Sequence, residues 1–413
     1  MPGSNPCVLV EQPDSPPESI TVALSAPPDS AGQDRWRTTA EEFVATQSYE
    51  TLFGVDCRGR LYPKLVRAWT VQRVDGEQRW ESWEITLDTS ARFWSGERVT
   101  ADAVLAAWRS TSERPNGELA RLVAAATAVL DDSTLTVALS ASAPLTLAHP
   151  SLAIHGARSS AASRARVHFT SATGHRDALD AGADLLVTDD PAIVSYAAHN
   201  DDILTFPLPW DRTYVVLASD SVPPDSGVTS RLTLGNVFAD AVRAHSRIAE
   251  GPFWWESSAC VAPAATRPVT SVRPSSRVVY LSGDRLAQGV AERLVALAGR
   301  RVAREDSVLV TLIPRLSRVR TGVRAIGLAP SAFAAALHAG HDVVYVLPLP
   351  RFSPAPCHEV TMLRRAAPWL QSVIPLIDTR SIAIVRRGRV GLSVDANGSL
   401  RLLDRASARN GKP

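Results

Sequence analysis

Between residues 277 and 347 the chain alternates short apolar runs with helical patterns, and this alternation narrows the fold more than any other feature. Runs at 277–281, 308–312, 323–328 and 342–347 read as strands. Leu286, Val290, Leu294 and Leu297 share one helical face between the first two, and Gly299 lies where that helix should end. Ser331 can cap a second, shorter helix that ends at Gly340. Strands separated by helices cannot close as hairpins, so they predict an open sheet with helices on its faces, an α/β lobe. The chain has 413 residues, 45% of them hydrophobic, enough for more than one such core.

The preceding sequence is organised differently. Residues 1–19, rich in Pro, Ser and acid, read as a disordered segment. Ile20 to Leu24 is a first strand. Thr39 and Glu42 have capping-box spacing for a helix over 40–53. A β-rich stretch follows, about 57–150, in which Trp83, Ile85 and Leu87 alternate with Glu84 and Thr86. Short strands are expected at 184–188 and 213–217. Pro/Ser-rich stretches at 220–228 and 262–276 read as a linker and a loop, and the tail at 374–403 reads as short strands around Asn397-Gly398.

Composition removes several classes. Charge is nearly balanced, 44 Lys+Arg against 42 Asp+Glu, with no basic block for nucleic acid. No apolar run reaches the roughly 18 residues a membrane-spanning helix needs. Residues 1–19 lack the basic and apolar regions of a signal peptide. Cys7, Cys57, Cys260 and Cys357 form no C-x-x-C pair; free thiols are expected, and neither disulfides nor a lipid on Cys7 can be assigned from spacing. His338 and His341, and His149 and His155, lack the ligand spacing of a metal site, so no metal or cofactor is expected. No catalytic or nucleotide-binding motif occurs, and adjacent carboxylates such as Asp189-Asp190 and Asp201-Asp202 read as solvated loops, so the chain is not expected to be an enzyme.

Several segments, in order, resemble the family 5 solute-binding proteins of peptide and nickel ABC importers. Tyr49-Glu50-Thr51-Leu52 is followed by Gly59-Arg60-Leu61-Tyr62-Pro63-Lys64-Leu65 and Trp69. The most specific match runs Phe93-Trp94-Ser95-Gly96-Glu97-Arg98-Val99-Thr100-Ala101-Asp102-Ala103-Val104. Weaker matches lie at Ala183-Asp184, Tyr214 to Leu217 and Val279 to Gly283. Each residue of the Phe93–Val104 motif also has a folding role: Gly96 suits a tight turn, Thr100 a helix cap and Asp102 the positive helix end.

The resemblance implies a type II periplasmic-binding-protein-like α/β architecture. Two lobes, 20–217 with 372–413 and 218–371, would close on a ligand in the cleft between them, about hinges near 217 and 372. It implies a small-molecule or oligopeptide ligand, ABC permease and ATPase partners, a monomer, and a periplasmic or cell-surface location. The family-like layout puts Tyr49, Trp210, Asp211, Arg212, Tyr345 and Arg351 near the lobe crossings, as candidate ligand-binding residues.

The sequence departs from the family where peptide-binding members carry an aspartate for the ligand's ammonium. Here 346–354 reads Val-Leu-Pro-Leu-Pro-Arg-Phe-Ser-Pro, and Arg351 suits an anion instead. Two alternatives remain open: a cytoplasmic ligand sensor, and a degenerate binding protein acting through protein contacts.

Overall fold

The computed structural model describes residues 7–13, 15, 17–24, 39–73, 80–113, 117–140, 144–158, 166–171, 174–219, 246–256, 277–310, 324–340, 343–396 and 398–403. The chain divides into two compact units, Met1–Pro209 with Arg380–Pro413, and Trp210–Thr379. The crossings therefore fall after Pro209 and Thr379. Strand Arg212–Ser219, expected in the first lobe, belongs to the second unit, because it lies between Val343–Pro350 and Leu370–Thr379 in that unit's sheet.

The first unit holds a five-stranded mixed sheet. Its order is Arg166–Ser171, Ser19–Leu24, Leu185–Thr188, Ile382–Arg386, Ile203–Pro207. Ile20, Val22, Leu24, Leu185 and Val385 are buried in its core. A separate four-stranded antiparallel sheet is formed by Val66–Arg73, Trp80–Leu87, Thr134–Ser140 and Thr127–Val129. Its Trp83, Ile85 and Leu87 are buried, as their alternation requires. Helix Ala101–Ser112 buries Val104, Leu105 and Trp108, and the Thr100 hydroxyl accepts from the Ala103 amide at 3.2 Å.

Three expectations for this unit are corrected. The segment before Ser19 is not wholly irregular: Val8–Val10 forms a strand against Leu392–Val394. The helix over 40–53 ends sooner, as Thr39–Ser48, because Tyr49–Glu50 pairs with Ile154–His155 instead. Cys7 is not a free thiol: it is disulfide-bonded to Cys57, which rules out a thioether lipid on its sulfur. Cys357 is disulfide-bonded too.

The second unit holds a six-stranded sheet ordered Arg247–Ile248, Leu370–Thr379, Arg212–Ser219, Val343–Pro350, Arg277–Leu281, Arg324–Leu328. The last three strands are parallel to one another and the others antiparallel to their neighbours. Helix Arg285–Val310 packs Val290, Ala291 and Leu294 against Val216, Val278, Val344 and Val346. It runs past Gly299 and includes 308–310, so the strand expected there is absent; 311–312 lie outside the described residues, as do the linker 220–228, the loop 262–276 and Asn397. Asp284 holds the start of this helix, accepting from the Leu286 and Ala287 amides at 3.1 and 2.9 Å. The Tyr214 hydroxyl donates to the same carboxylate. Burial pushes the Asp284 carboxyl up, against the pull of the helix amides, the tyrosine and Arg212.

Helix Pro330–Ala339 ends at Gly340 with φ +64°. A Cβ there would fall 1.8 Å from Trp369 Cδ1, so both backbone and space demand glycine.

Candidate functional site

The three strand ends at Arg212, Pro350 and Thr379 lie side by side in the second unit. The chain enters the unit at Trp210 and leaves it at Thr379, so this is the end of the sheet at which both crossings occur. Val343–Pro350 pairs with Arg277–Leu281 only as far as Val346. Beyond it that edge pairs with no strand among the described residues, and Pro348 and Pro350, at alternate positions, can dispense with their donors there. This is why the strand can end in prolines and hand Arg351 to the rim, where the Arg351 amide donates to Asp211 O at 2.7 Å.

Asp378, fully buried, is the centre of the rim. The Thr213 hydroxyl donates to its Oδ1 at 2.7 Å, across the ladder that pairs the two residues. Arg247 presents Nε and Nη2 to Oδ2, each at 3.0 Å. Arg351 Nη1 lies 3.8 Å from Oδ1, too far for a hydrogen bond, and is buried with no acceptor among the described residues. Arg351 Nη2 donates to Glu250 O. Each guanidinium also lies over a ring: Arg247 over Trp210 at 4.7 Å and Arg351 over Phe253 at 4.6 Å. Phe253 stacks on Trp255, and the Trp254 indole donates to Pro350 O at 2.7 Å. One buried carboxylate thus faces two arginines, both held on aromatic faces.

Of the six candidates, Trp210, Asp211, Arg212 and Arg351 come together here; Arg212 Nε lies 3.8 Å from Asp211 Oδ2. Tyr345 does not. It pairs with Leu217, farther along the sheet, and is 1% exposed. Its hydroxyl donates to Ala336 O at 2.5 Å and its ring packs on Phe333 and Trp369, which makes it a core residue. Tyr49 belongs to the first unit, its ring 4.8 Å from His155, which in turn lies 5.5 Å from the half-exposed Trp94. Arg247, Asp378, Thr213 and Phe253 were not singled out from the sequence. The one available signal was Asp378 itself, a carboxylate in the otherwise apolar run Val373-Ile374-Pro375-Leu376-Ile377.

The first unit has a buried charge cluster of its own. Arg401 donates both terminal nitrogens to Glu50, at 3.0 and 2.9 Å, and Lys64 Nζ lies 3.2 Å from Glu50 Oε1. Burial and Arg401 outweigh Glu50 and bring Lys64 down to about 8. Burial lifts Tyr62 to about 12. Burial alone would lower Arg401, and Glu50 more than reverses it. Glu50, in the Tyr49-Glu50 motif, is therefore a structural anchor. Among the described residues no cluster of His, Cys, Asp and Glu has the grouping of a metal site, and no helix is long and apolar enough to cross a membrane.

No family model and no curated protein matches the sequence. Solved structures do match the fold. NikA from Brucella suis in complex with Fe(III)-EDTA is 13% identical, with a TM-score of 0.61, covering 94% of this chain and 100% of that one. A dipeptide-binding protein from Pseudoalteromonas sp. SM9913 in complex with Met-Leu is 10% identical, with a TM-score of 0.60 and coverage of 94% and 100%. AgaA from A. tumefaciens R10 in complex with agropinic acid is 10% identical, with a TM-score of 0.59 and coverage of 92% and 95%. The chain has the α/β, type II periplasmic-binding-protein-like fold of these solute-binding proteins.

Proposed function

We propose that this chain is a family 5 solute-binding protein. In this reading it is the receptor of an ABC-type importer, binds a small polar solute and delivers it to a membrane permease, and is not an enzyme. The observation that carries the reading is the rim around Asp378. It is a polar cluster with aromatic faces, at the sheet end where the chain passes from one unit to the other, in a fold whose solved examples hold Met-Leu, Fe(III)-EDTA and agropinic acid. In this reading Trp210, Asp211, Arg212 and Arg351 supply ligand contacts. Coupling to transport follows from a ligand that favours one conformation over another, which the permease reads.

The cysteines support an extracytoplasmic location. Cys7, Cys57 and Cys357 are all oxidised, which fits a periplasmic or cell-surface protein and disfavours the cytoplasmic sensor. The test is to denature protein purified from its native host and identify by mass spectrometry any solute released. A stoichiometric small molecule that rebinds the refolded protein and quenches its tryptophan fluorescence supports the reading. A protein that neither carries nor rebinds a solute favours the degenerate alternative.

A further inference from the structure

The two edges of the Arg247 guanidinium are in different states. The inner edge, Nε and Nη2, is spent on Asp378 Oδ2 at 3.0 Å. One face is covered by the Trp210 ring. Among the described residues the outer nitrogen, Nη1, faces the Glu250 carboxylate, whose Oε2 is 3.9 Å away, beyond hydrogen-bond reach. The Arg247 side chain is 37% exposed and that of Glu250 is 71% exposed, so this edge is open to solvent while the rest of the group is fixed.

Such a guanidinium is preorganised. Its rotamer freedom is already lost to Asp378 and Trp210, so a guest that meets the outer edge has little further ordering cost. Asp378 cannot serve a cationic guest instead, because it is fully buried and already neutralised by Arg247, with Arg351 beside it. Buried Asp378 offsets one of the two guanidiniums, and the second carboxylate beside them is the exposed Glu250. The Glu250 carboxylate, on an exposed side chain, stands where a guest oxyanion would sit.

We infer that the outer edge of Arg247 is a carboxylate-binding subsite, that the solute carries a carboxylate or an equivalent planar oxyanion, and that Glu250 competes for the same edge in the empty protein. The inference rests on the solute-receptor reading and narrows it to a chemical class. The outer edge keeps one Nη1 proton and the second Nη2 proton, which point outward together, and a bidentate carboxylate fits that pair as an amide or an ammonium cannot.

The experiment is isothermal titration of the wild-type protein with mono- and dicarboxylates (acetate, benzoate, succinate, citrate), each beside its primary amide, and with Met-Leu and its N-acetyl and C-amide forms. E250Q and R247K are then titrated with whatever binds. The expected result is binding of carboxylates but not of their amides, at least threefold tighter in E250Q and at least tenfold weaker in R247K, which keeps the charge but loses the fork. Glu250 is exposed, so E250Q tests the idea even if R247K fails to fold. An amide that binds as tightly as its acid, or affinities unchanged in E250Q, would overturn the carboxylate subsite and leave the receptor reading standing. No binding by any member of the panel, the peptide forms included, would count against both.

Discussion

Arg401 grips Glu50 with both terminal nitrogens, across a sequence separation of 351 residues. Lys64 joins from the other side, so one nearly inaccessible carboxylate pairs with two cations and ties the C-terminal strand Leu400–Leu402 to the Tyr49–Glu50 segment. Removing the shared carboxylate takes from both cations the one side chain that bonds them directly, leaving the more distant Asp395. E50A should therefore cost about 3–5 kcal/mol of stability in the first unit, the scale of a broken buried pair. Urea denaturation followed by far-ultraviolet circular dichroism measures this; a loss under 1 kcal/mol would mean that water reaches the cluster.

The same cluster sets a pH dependence. Lys64 falls from 10.5 when unfolded to about 8 when folded, so between these values the unfolded chain binds more protons. Its contribution to stability is full above about 10.5 and is lost as pH falls through about 8. Tyr62 works in reverse: raised from 10.0 to about 12, it contributes stability below 10 that is lost as pH climbs toward 12. Stability attributable to the pair should therefore rise from pH 8 to about 10 and fall beyond it. K64M should flatten the rising limb, and denaturation midpoints across pH 7–11 would reveal it.

The Cys7–Cys57 bond closes a separation of 50 residues. Chain entropy places its contribution at about 4 kcal/mol, typically less in practice. The double variant C7S/C57S should lower the melting temperature of the first unit by several degrees, and wild-type protein should take up no alkylating label at Cys7, Cys57 or Cys357 until reduced. Labelling of the folded, unreduced protein would contradict the oxidised state and the extracytoplasmic location it supports.

In the second unit, T213V removes the hydroxyl that donates to Asp378 Oδ1 at 2.7 Å and keeps the shape. A buried acceptor losing a donor should cost about 1–3 kcal/mol. G340A, with its Cβ driven toward Trp369 at a φ of +64°, should cost at least as much. Both are read as shifts in denaturation midpoint; a neutral G340A would mean that Trp369 can swing away.

What the sequence displays is what local rules govern. The Phe93–Val104 segment announces itself because Gly96, at φ +91°, and Thr100, on the Ala103 amide, each solve a local backbone problem with a characteristic residue. The Trp83, Ile85 and Leu87 alternation and the Leu286 to Leu297 face are legible for the same reason. Long-range pairings leave no such trace. Arg247 finds Asp378 from 131 residues away, Cys7 finds Cys57, and nothing near any of them specifies the partner. Tyr345 shows the opposite failure. An aromatic near the end of an apolar strand looks like a ligand wall, but the pleat turns it inward onto Phe333, a direction fixed by packing. The tail strand at 392–394 also had a hidden partner, Val8–Val10, in a segment whose Pro-rich flanks masked a short apolar triplet.

The most direct test of the account is a thermal-shift screen of the purified protein against organic acids, peptides, metal chelates and sugars. A solute that binds only the folded state raises Tm by mass action, by an amount that grows with its concentration. The account predicts a reproducible rise with at least one class. A well-folded protein whose Tm does not move across the whole panel would contradict the claim that this chain is a solute receptor.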